Sequence, residues 1–508
     1  MSLVPLWMSG AVQLWCAVVR VLPQHTSRVY GAAVAPTLLL ASNRGPASFT
    51  DGTDGDPVVR PGGGGLVSAL SGVNGTSDAL WVCAALTDAD RRGVRRHPRR
   101  LPVEAPTAVR MLDVDPVVFD RAYNDVANST LWFVSHLLYA TPSEPVFDAL
   151  SRRAWEDYRS YDAAFADALA EEAAPGATVL VQDYHLSLTP RQLRARRDDV
   201  RIGHFTHTPW APPEYFCLLP DGMAREVLLG LLGADAVGFL SRRWADAFVD
   251  CCVAVLGAQR VDGGVRCEGR TTRVDVHPLG VDAAELRARA ARADVRDRVA
   301  ALRELAGDRQ VVLRVDRTEL SKNIVRGLLA YRELLVTRPE WHRRVVHVAL
   351  AYPSRHDLPA YREYTGAVQR VAREINSEFG TEGWQPVVLE VRDDYARSLA
   401  SFVVADVLLV NPLRDGMNLV AKEGPVLSER GLSLVLSREA GAADELADDA
   451  FVVNPFDVSA TAEALHEALR QPPDERRART DRLADAATRL PPSSWLAAQR
   501  AALAHPSH

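Results

Sequence analysis

The chain has 508 residues, room for two or three domains, and 47% of them are hydrophobic, enough for large buried cores. Lys and Arg number 59 against 65 Asp and Glu, and the net charge of −6 is spread with both signs interspersed. That balance excludes attraction of the whole chain to nucleic acid or an acidic membrane, so any phosphate site must be built by local placement. The six cysteines (Cys16, Cys83, Cys217, Cys251, Cys252 and Cys267) form neither a metal spacing nor a disulfide ladder, which points to a reduced, cytoplasmic protein.

Residues 1–34 read as a poorly specified extension. Leu3 to Leu22 is largely apolar but lacks a basic leader, and Arg20 interrupts it, so a membrane anchor is the weaker alternative. The fold pattern begins with a strand at Thr37–Ser42, ended by Asn43-Arg44-Gly45-Pro46. Ser48 to Arg60 is polar. The four glycines after Pro61, including Gly64 and Gly65, let the backbone approach a ligand and offer it N–H groups. A second strand is expected at Leu80–Leu86, followed by a charged surface excursion over 88–108. Asp113-Val-Asp115 has a metal-like spacing, but it precedes a proline and reads as a solvated turn. Trp155, Tyr158, Tyr161, Phe165 and Leu169 recur at helical spacing and read as core.

Strands and helices then alternate. Strands are expected at Val179–Gln182, Ile202–Thr206, Ala236–Leu240 and Val274–Leu279, with helices at Arg225–Leu232 and Arg243–Leu256. The second half repeats the scheme at Val311–Val315, Val345–Ala351, Val387–Val391, Val407–Val410, Leu432–Leu436 and Phe451–Val453. So many strands imply an α/β protein of two doubly wound, Rossmann-like domains facing a cleft. The expected boundary lies near 279–300. This gives an extension at 1–34, a first domain at 35–281, a second at 282–488 and a tail helix at 489–508 that docks back on the first. Ligands of such sheets bind beyond the carboxyl ends of the strands. Arg44, Asp183, His207, Arg317 and Asp415 all fall at those ends.

The stretch Pro412-Leu-Arg-Asp-Gly-Met-Asn-Leu-Val-Ala-Lys-Glu-Gly424 organises the second half. An apolar strand, a turn at Gly416 and Asn418 and a helix start make an anion site, with Glu423 able to accept from a pair of sugar hydroxyls. Only Lys322 and Lys422 break the rule that this chain uses Arg as its strong base. A compact ammonium is retained where a planar guanidinium cannot fit beside a phosphate, and Arg317 with Lys322 therefore reads as a diphosphate clamp. No serine-hydrolase elbow, zinc site or Walker loop is present.

Ser42-Asn-Arg44, Gly64-Gly65-Leu66, Tyr123-Asn, Leu131-Trp132, Gln182-Asp-Tyr-His-Leu186, His204-Phe-Thr-His-Thr-Pro209, Arg317 with Lys322, Pro353-Ser-Arg355 and Leu413 to Glu423 occur in this order. Together they resemble the trehalose-6-phosphate synthases, glycosyltransferase family 20, of the two-domain GT-B fold, from about residue 37 to 500. The resemblance implies a retaining transfer of glucose from a nucleoside-diphosphate glucose to glucose 6-phosphate, with no metal or other cofactor. It implies that Arg317 and Lys322 hold the donor diphosphate and that Glu423 binds the ribose. Gly64, Gly65, Asp415, Gly416, Met417, Asn418, Leu419 and Val420 would line the donor. Asp183 and His207 would contact the sugars, and Arg44, Tyr123, Trp132 and Arg355 the acceptor.

The implied path is front-face, the leaving phosphate taking the acceptor proton, with Asp183 as a nucleophile the weaker alternative. The basic motif departs from the family's Arg-Leu-Asp-Tyr-x-Lys-Gly: here it is Arg317-Thr-Glu-Leu-Ser-Lys322-Asn323. That leaves UDP-glucose against GDP-glucose open. It also keeps in view aminocyclitol-phosphate coupling without a glycosidic bond, a silent sugar-phosphate sensor and another GT-B enzyme. The partners expected are small molecules, with neither nucleic acid nor membrane, and homo-oligomerisation stays open.

Overall fold

The computed structural model describes residues 20–21, 35–52, 54–61, 79–104 and 107–504. The glycine run with Gly64 and Gly65 lies outside the described residues, as does the 1–34 extension apart from Arg20–Val21, which pairs with Val103–Glu104. Two compact units divide the chain. One holds the residues through Pro278 together with those from Pro492 on; the other is Leu279–Pro491.

The first unit is built on nine strands: β1 Leu38–Ala41, β2 Ala79–Ala84, β3 Ala108–Leu112, β4 Thr178–Gln182, β5 Arg201–Thr206, β6 Ala236–Phe239, β7 Gln259–Val261, β8 Gly264–Cys267 and β9 Arg270–Val276. Their order across the sheet is β7-β8-β9-β6-β5-β4-β1-β2-β3. All pairings are parallel except those joining β7 to β8 and β8 to β9. β1 is buried along its whole length, as continuous apolar runs are when helices cover both faces of a parallel sheet.

The helix Ala149–Glu172 supplies part of that cover. Asp148 caps it by accepting from Leu150 N and Ser151 N, and Trp155, Tyr158, Tyr161, Phe165 and Leu169 are all buried. The expected aromatic stripe is core. The helix Pro492–Ala504 belongs to this unit too. Trp495 meets the rings of Phe205 and His207, and Arg273 Nη1 donates to Ala502 O at 2.7 Å.

The second unit carries six parallel strands: β10 Gln310–Arg317, β11 Val345–Tyr352, β12 Val387–Glu390, β13 Val407–Val410, β14 Ser433–Ser437 and β15 Phe451–Val453, in the order β12-β11-β10-β13-β14-β15. In each unit strand order reverses once, between β1 and β4 in the first and between β10 and β13 in the second. Such reversals leave a crevice at the carboxyl ends of the two strands.

Several local expectations are corrected. The polar segment after Arg44 is an antiparallel hairpin, Ala47–Asp51 with Pro57–Pro61. The charged excursion contains the helix Asp88–Arg96, and its Asp90 is buried, accepting from Phe49 N, Leu86 N and Thr87 N. A carboxylate that satisfies three backbone donors can be interior despite its charge. The last strand of the first unit ends at Val276 rather than Leu279, and it is the third strand of an antiparallel meander. Asp115 caps the helix Pro116–Asp120, and Asp113 pairs with Arg91 and Arg95, so the metal-like spacing serves structure. Among the described residues no helix is long and apolar enough to cross a membrane.

Candidate active site

In the first unit, Arg44 leaves the end of β1 as an exposed side chain. Its neighbours are fixed from below. Trp81 Nε1 donates to Ser42 Oγ at 2.8 Å, Ser42 Oγ donates to Arg44 O at 2.6 Å, and Tyr161 OH donates to Asn43 Oδ1 at 2.6 Å.

Across the reversal, Asp183 follows β4 with φ 71° and ψ 168°, a conformation costing a non-glycine residue on the order of 1–3 kcal/mol. The surroundings hold it there. Asp183 N donates to Phe205 O at 2.7 Å, its carbonyl meets His204 Nε2 at 3.2 Å, and its Oδ1 accepts from His207 N at 3.2 Å. His207 Nε2 lies 3.0 Å from Gln182 Oε1. An amide oxygen only accepts, so Nε2 carries the hydrogen and Nδ1 is the acceptor. Burial, with His204 nearby, pushes the His207 ring down to about 3, so it is neutral at pH 7.

Tyr123 stacks between Phe119 and His185, at 5.3 and 5.6 Å between centroids. It sits in Arg121–Leu131, a stretch wound in wide π-helical turns. Trp132 is buried and packs on His136 and Tyr184.

In the second unit, Arg317 closes β10, and the turn after it returns as a short 3₁₀ segment, Leu320–Lys322. Lys322 Nζ pairs with Asp415 Oδ2, which also accepts from Asn418 Nδ2 at 3.0 Å. Burial lowers the Lys322 ammonium, but Asp415, Asp316 and Glu319 outweigh that and leave it raised, hence charged. Asn323 has φ 58°, a left-handed conformation that asparagine tolerates. The asparagine at the last position of the basic motif thus keeps a backbone turn that glycine also allows.

Asn418 has φ 78°, and its Oδ1 accepts from Ala421 N at 3.2 Å, starting the helix Val420–Leu427. Met417 is buried, Gly416 is buried, and Leu419 and Val420 are partly exposed. Glu423 is partly open to water, and burial pushes its carboxyl up to about 7.

Arg355 has φ 46°, and its Nη1 donates to Tyr361 OH at 2.6 Å. It also stands 3.9 Å from Glu319 Oε1, which lies 3.2 Å from Arg317 Nη1 and accepts from Ser354 Oγ at 2.9 Å.

Lys422, the other lysine, is placed differently. Its side chain is fully buried, and its Nζ meets Glu445 and donates to Leu279 O at 2.8 Å. This lysine ties the helix after β13 to the start of its own unit and is not part of a phosphate clamp. Sequence reasoning also missed Glu319, Tyr361 and Gly441. A Cβ on Gly441 would stand 1.9 Å from Gly416 O, so the loop carrying Asp415 and Gly416 rests directly on its backbone. An acid lying between two cations in residues 317–322 was the one available signal for Glu319.

The Glycosyltransferase family 20 description matches residues 37–505. A bifunctional trehalose-6-phosphate synthase/phosphatase of Thermoproteus tenax is 36% identical over 86% of this chain, which spans only 59% of that protein's length. A trehalose-6-phosphate synthase of Mycobacterium sp. (strain JLS) is 36% identical over 87% of this chain and 90% of its own. Among solved structures, "Trehalose-6-phosphate from E. coli bound with UDP-2-fluoro glucose" superposes with a TM-score of 0.80 at 28% identity, covering 92% of this chain and 98% of the other. A Burkholderia xenovorans alpha,alpha-trehalose-phosphate synthase (UDP-forming) in complex with glucose-6-phosphate gives a TM-score of 0.80 at 27% identity, covering 92% and 100%. The two mainly parallel sheets are those of the GT-B fold, and the chain belongs to glycosyltransferase family 20, the family of the trehalose-6-phosphate synthases.

Proposed function

We propose that the protein transfers glucose from a nucleoside-diphosphate glucose to glucose 6-phosphate with retention, forming α,α-trehalose 6-phosphate. One observation carries the reading. A charged Lys322, paired to Asp415 and flanked by Arg317, stands where strand order reverses in the second unit. Support comes from relatives whose structures hold UDP-2-fluoro glucose and glucose-6-phosphate.

In this reading Arg317 and Lys322 take the donor diphosphate, and Asp415, Gly416, Met417, Asn418, Leu419 and Val420 line the sugar and phosphates. Glu423 accepts from the ribose, and the backbone N–H groups of Gly64 and Gly65 are further candidates for the diphosphate. Arg44, Tyr123, Trp132 and Arg355 hold the acceptor, while Asp183 and the acceptor nitrogen of neutral His207 orient sugar hydroxyls. The bond from the anomeric carbon to the diphosphate breaks as the acceptor hydroxyl attacks the same face, and the departing phosphate takes its proton. Charge grows on the leaving oxygens, where the two cations are already fixed, so stabilisation costs no reorganisation. No metal ion or other cofactor enters, and the reaction belongs to the cytoplasm.

The test is nucleotide release by the purified protein with glucose 6-phosphate and UDP-, GDP- or ADP-glucose in turn, with the sugar product identified. Release accompanied by trehalose 6-phosphate is expected and names the donor. Folded protein that turns over none of the three refutes the reading and favours aminocyclitol coupling or a sensor.

A further inference from the structure

Glu319 has no exposed side-chain surface, yet it sits among cations. Its Oε1 alone receives Ser354 Oγ at 2.9 Å, Arg317 Nη1 at 3.2 Å and the Arg355 guanidinium at 3.9 Å. Burial raises its carboxyl, but Arg317, Arg355 and Lys322 overcome this and hold it down at about 2. A carboxylate this buried is tolerable only when charge-paired and hydrogen-bonded. Its backbone is pinned as well: Glu319 N donates to Arg317 O at 2.7 Å and its carbonyl accepts from Lys322 N at 3.0 Å.

The two arginines differ in what else fixes them. Arg355 is nearly buried and also bonds Tyr361, whereas the Arg317 side chain is 53% exposed, with Glu319 as its ion-pair partner.

We propose that Glu319 is a shared positioning residue, one carboxylate oxygen setting the guanidinium groups of both Arg317 and Arg355 and so coupling the donor-diphosphate and acceptor-phosphate sites. The inference rests on the function proposed above, which gives those arginines their two anions. An isolated, exposed guanidinium samples many rotamers and loses that freedom when it binds. A buried anion between the two holds both in place beforehand, and removing it loosens both sites together.

The experiment is calorimetric binding of inorganic pyrophosphate and of glucose 6-phosphate to the full chain, in the unmodified protein, Glu319→Gln and Glu319→Asp, with thermal unfolding followed in parallel. Glu319→Gln is expected to weaken both anions at least tenfold, and Glu319→Asp to recover part of both losses. Glu319→Gln and Arg355→Lys combined should weaken glucose 6-phosphate by less than the product of the single effects.

A folded Glu319→Gln protein that binds either anion within twofold of normal overturns the proposal, as does a lower unfolding temperature with both affinities intact. Unmodified protein that binds both anions but makes no trehalose 6-phosphate refutes the proposed function alone and leaves the binding test standing. Unmodified protein that binds pyrophosphate but no sugar phosphate overturns both.

Discussion

Lys322 and Lys422 show how much a residue's role depends on what surrounds it. Both are ammonium groups paired to a carboxylate, but Lys322 stands at a strand end beside Arg317 while Lys422 is sealed inside its unit. Their rarity was legible in the sequence; their depth was not, because burial is set by packing between distant segments. Glu319 was hidden for the same reason, since an acid beside two bases reads as solvated until its exposure is known. The place of Glu423 in the helix after the turn was legible, its role at the ribose is part of the proposed function, and its environment yields a prediction. A carboxylate accepts from sugar hydroxyls better than the neutral acid does. Burial raises Glu423 to about 7, so the protonated, weaker-accepting form gains as pH falls through that value. The KM for the nucleotide sugar should therefore rise about tenfold from pH 8 to pH 5.5, the scale of a hydrogen bond to a charged group. In Glu423→Gln that component should be flat and KM high throughout. Initial rates across this range check it, and identical pH profiles for the two proteins would remove Glu423 from the donor site.

At the scale of elements, the long apolar runs identified most of the parallel strands, because a strand buried on both faces carries its signature in its own residues; the parallel edge strand Ala108–Leu112, half-exposed and interrupted by Arg110, escaped. The hairpin at Ala47–Pro61 and the first two strands of the meander, Gln259–Val261 and Gly264–Cys267, escaped because they are half-exposed and polar, so their pairing partners define them. The loop Asp415–Leu419 combines both cases. Its strand and its Asn418 turn were legible, but the backbone beneath it was not. Asp415 N donates to Glu439 O at 3.2 Å, Gly441 N to Asp415 O at 3.1 Å and Ala442 N to Met417 O at 2.7 Å. With Gly416 O in the space a Cβ would need, Gly441→Val must displace the loop carrying Asp415. The expected result is a folded protein whose kcat/KM drops at least a hundredfold, since displacement of about 1 Å at a reacting site costs that much. Steady-state kinetics with circular dichroism check it; near-normal kcat/KM would show that the loop accommodates the change.

At the scale of the molecule, doubly wound architecture was the most legible property, since it follows from alternation repeated along most of the chain. The return of the helix Pro492–Ala504 to the first unit makes that unit discontinuous. Trp495 is nearly fully buried, edge-on to Phe205 and against His207. Trp495→Ala should destabilise the first unit by about 3–5 kcal/mol, the usual cost of emptying a buried aromatic site. A lower denaturant midpoint with an unchanged slope would report it. A change below about 1 kcal/mol would mean the helix is not integral to the fold.

The same discontinuity has a consequence for synthesis on the ribosome. β5, with Phe205 and Gly203, is made early, but Trp495 and Leu503, which cover it, emerge only after the roughly 200 residues of the second unit. At ordinary elongation rates of about 5–20 residues per second, the roughly 290 residues from β5 to Trp495 leave that apolar face waiting roughly 15–60 s for its cover. The second unit, being continuous, can fold while the first is still open. The nascent chain therefore offers chaperones a defined hydrophobic surface for a defined interval, and slow codons within the second unit would lengthen it.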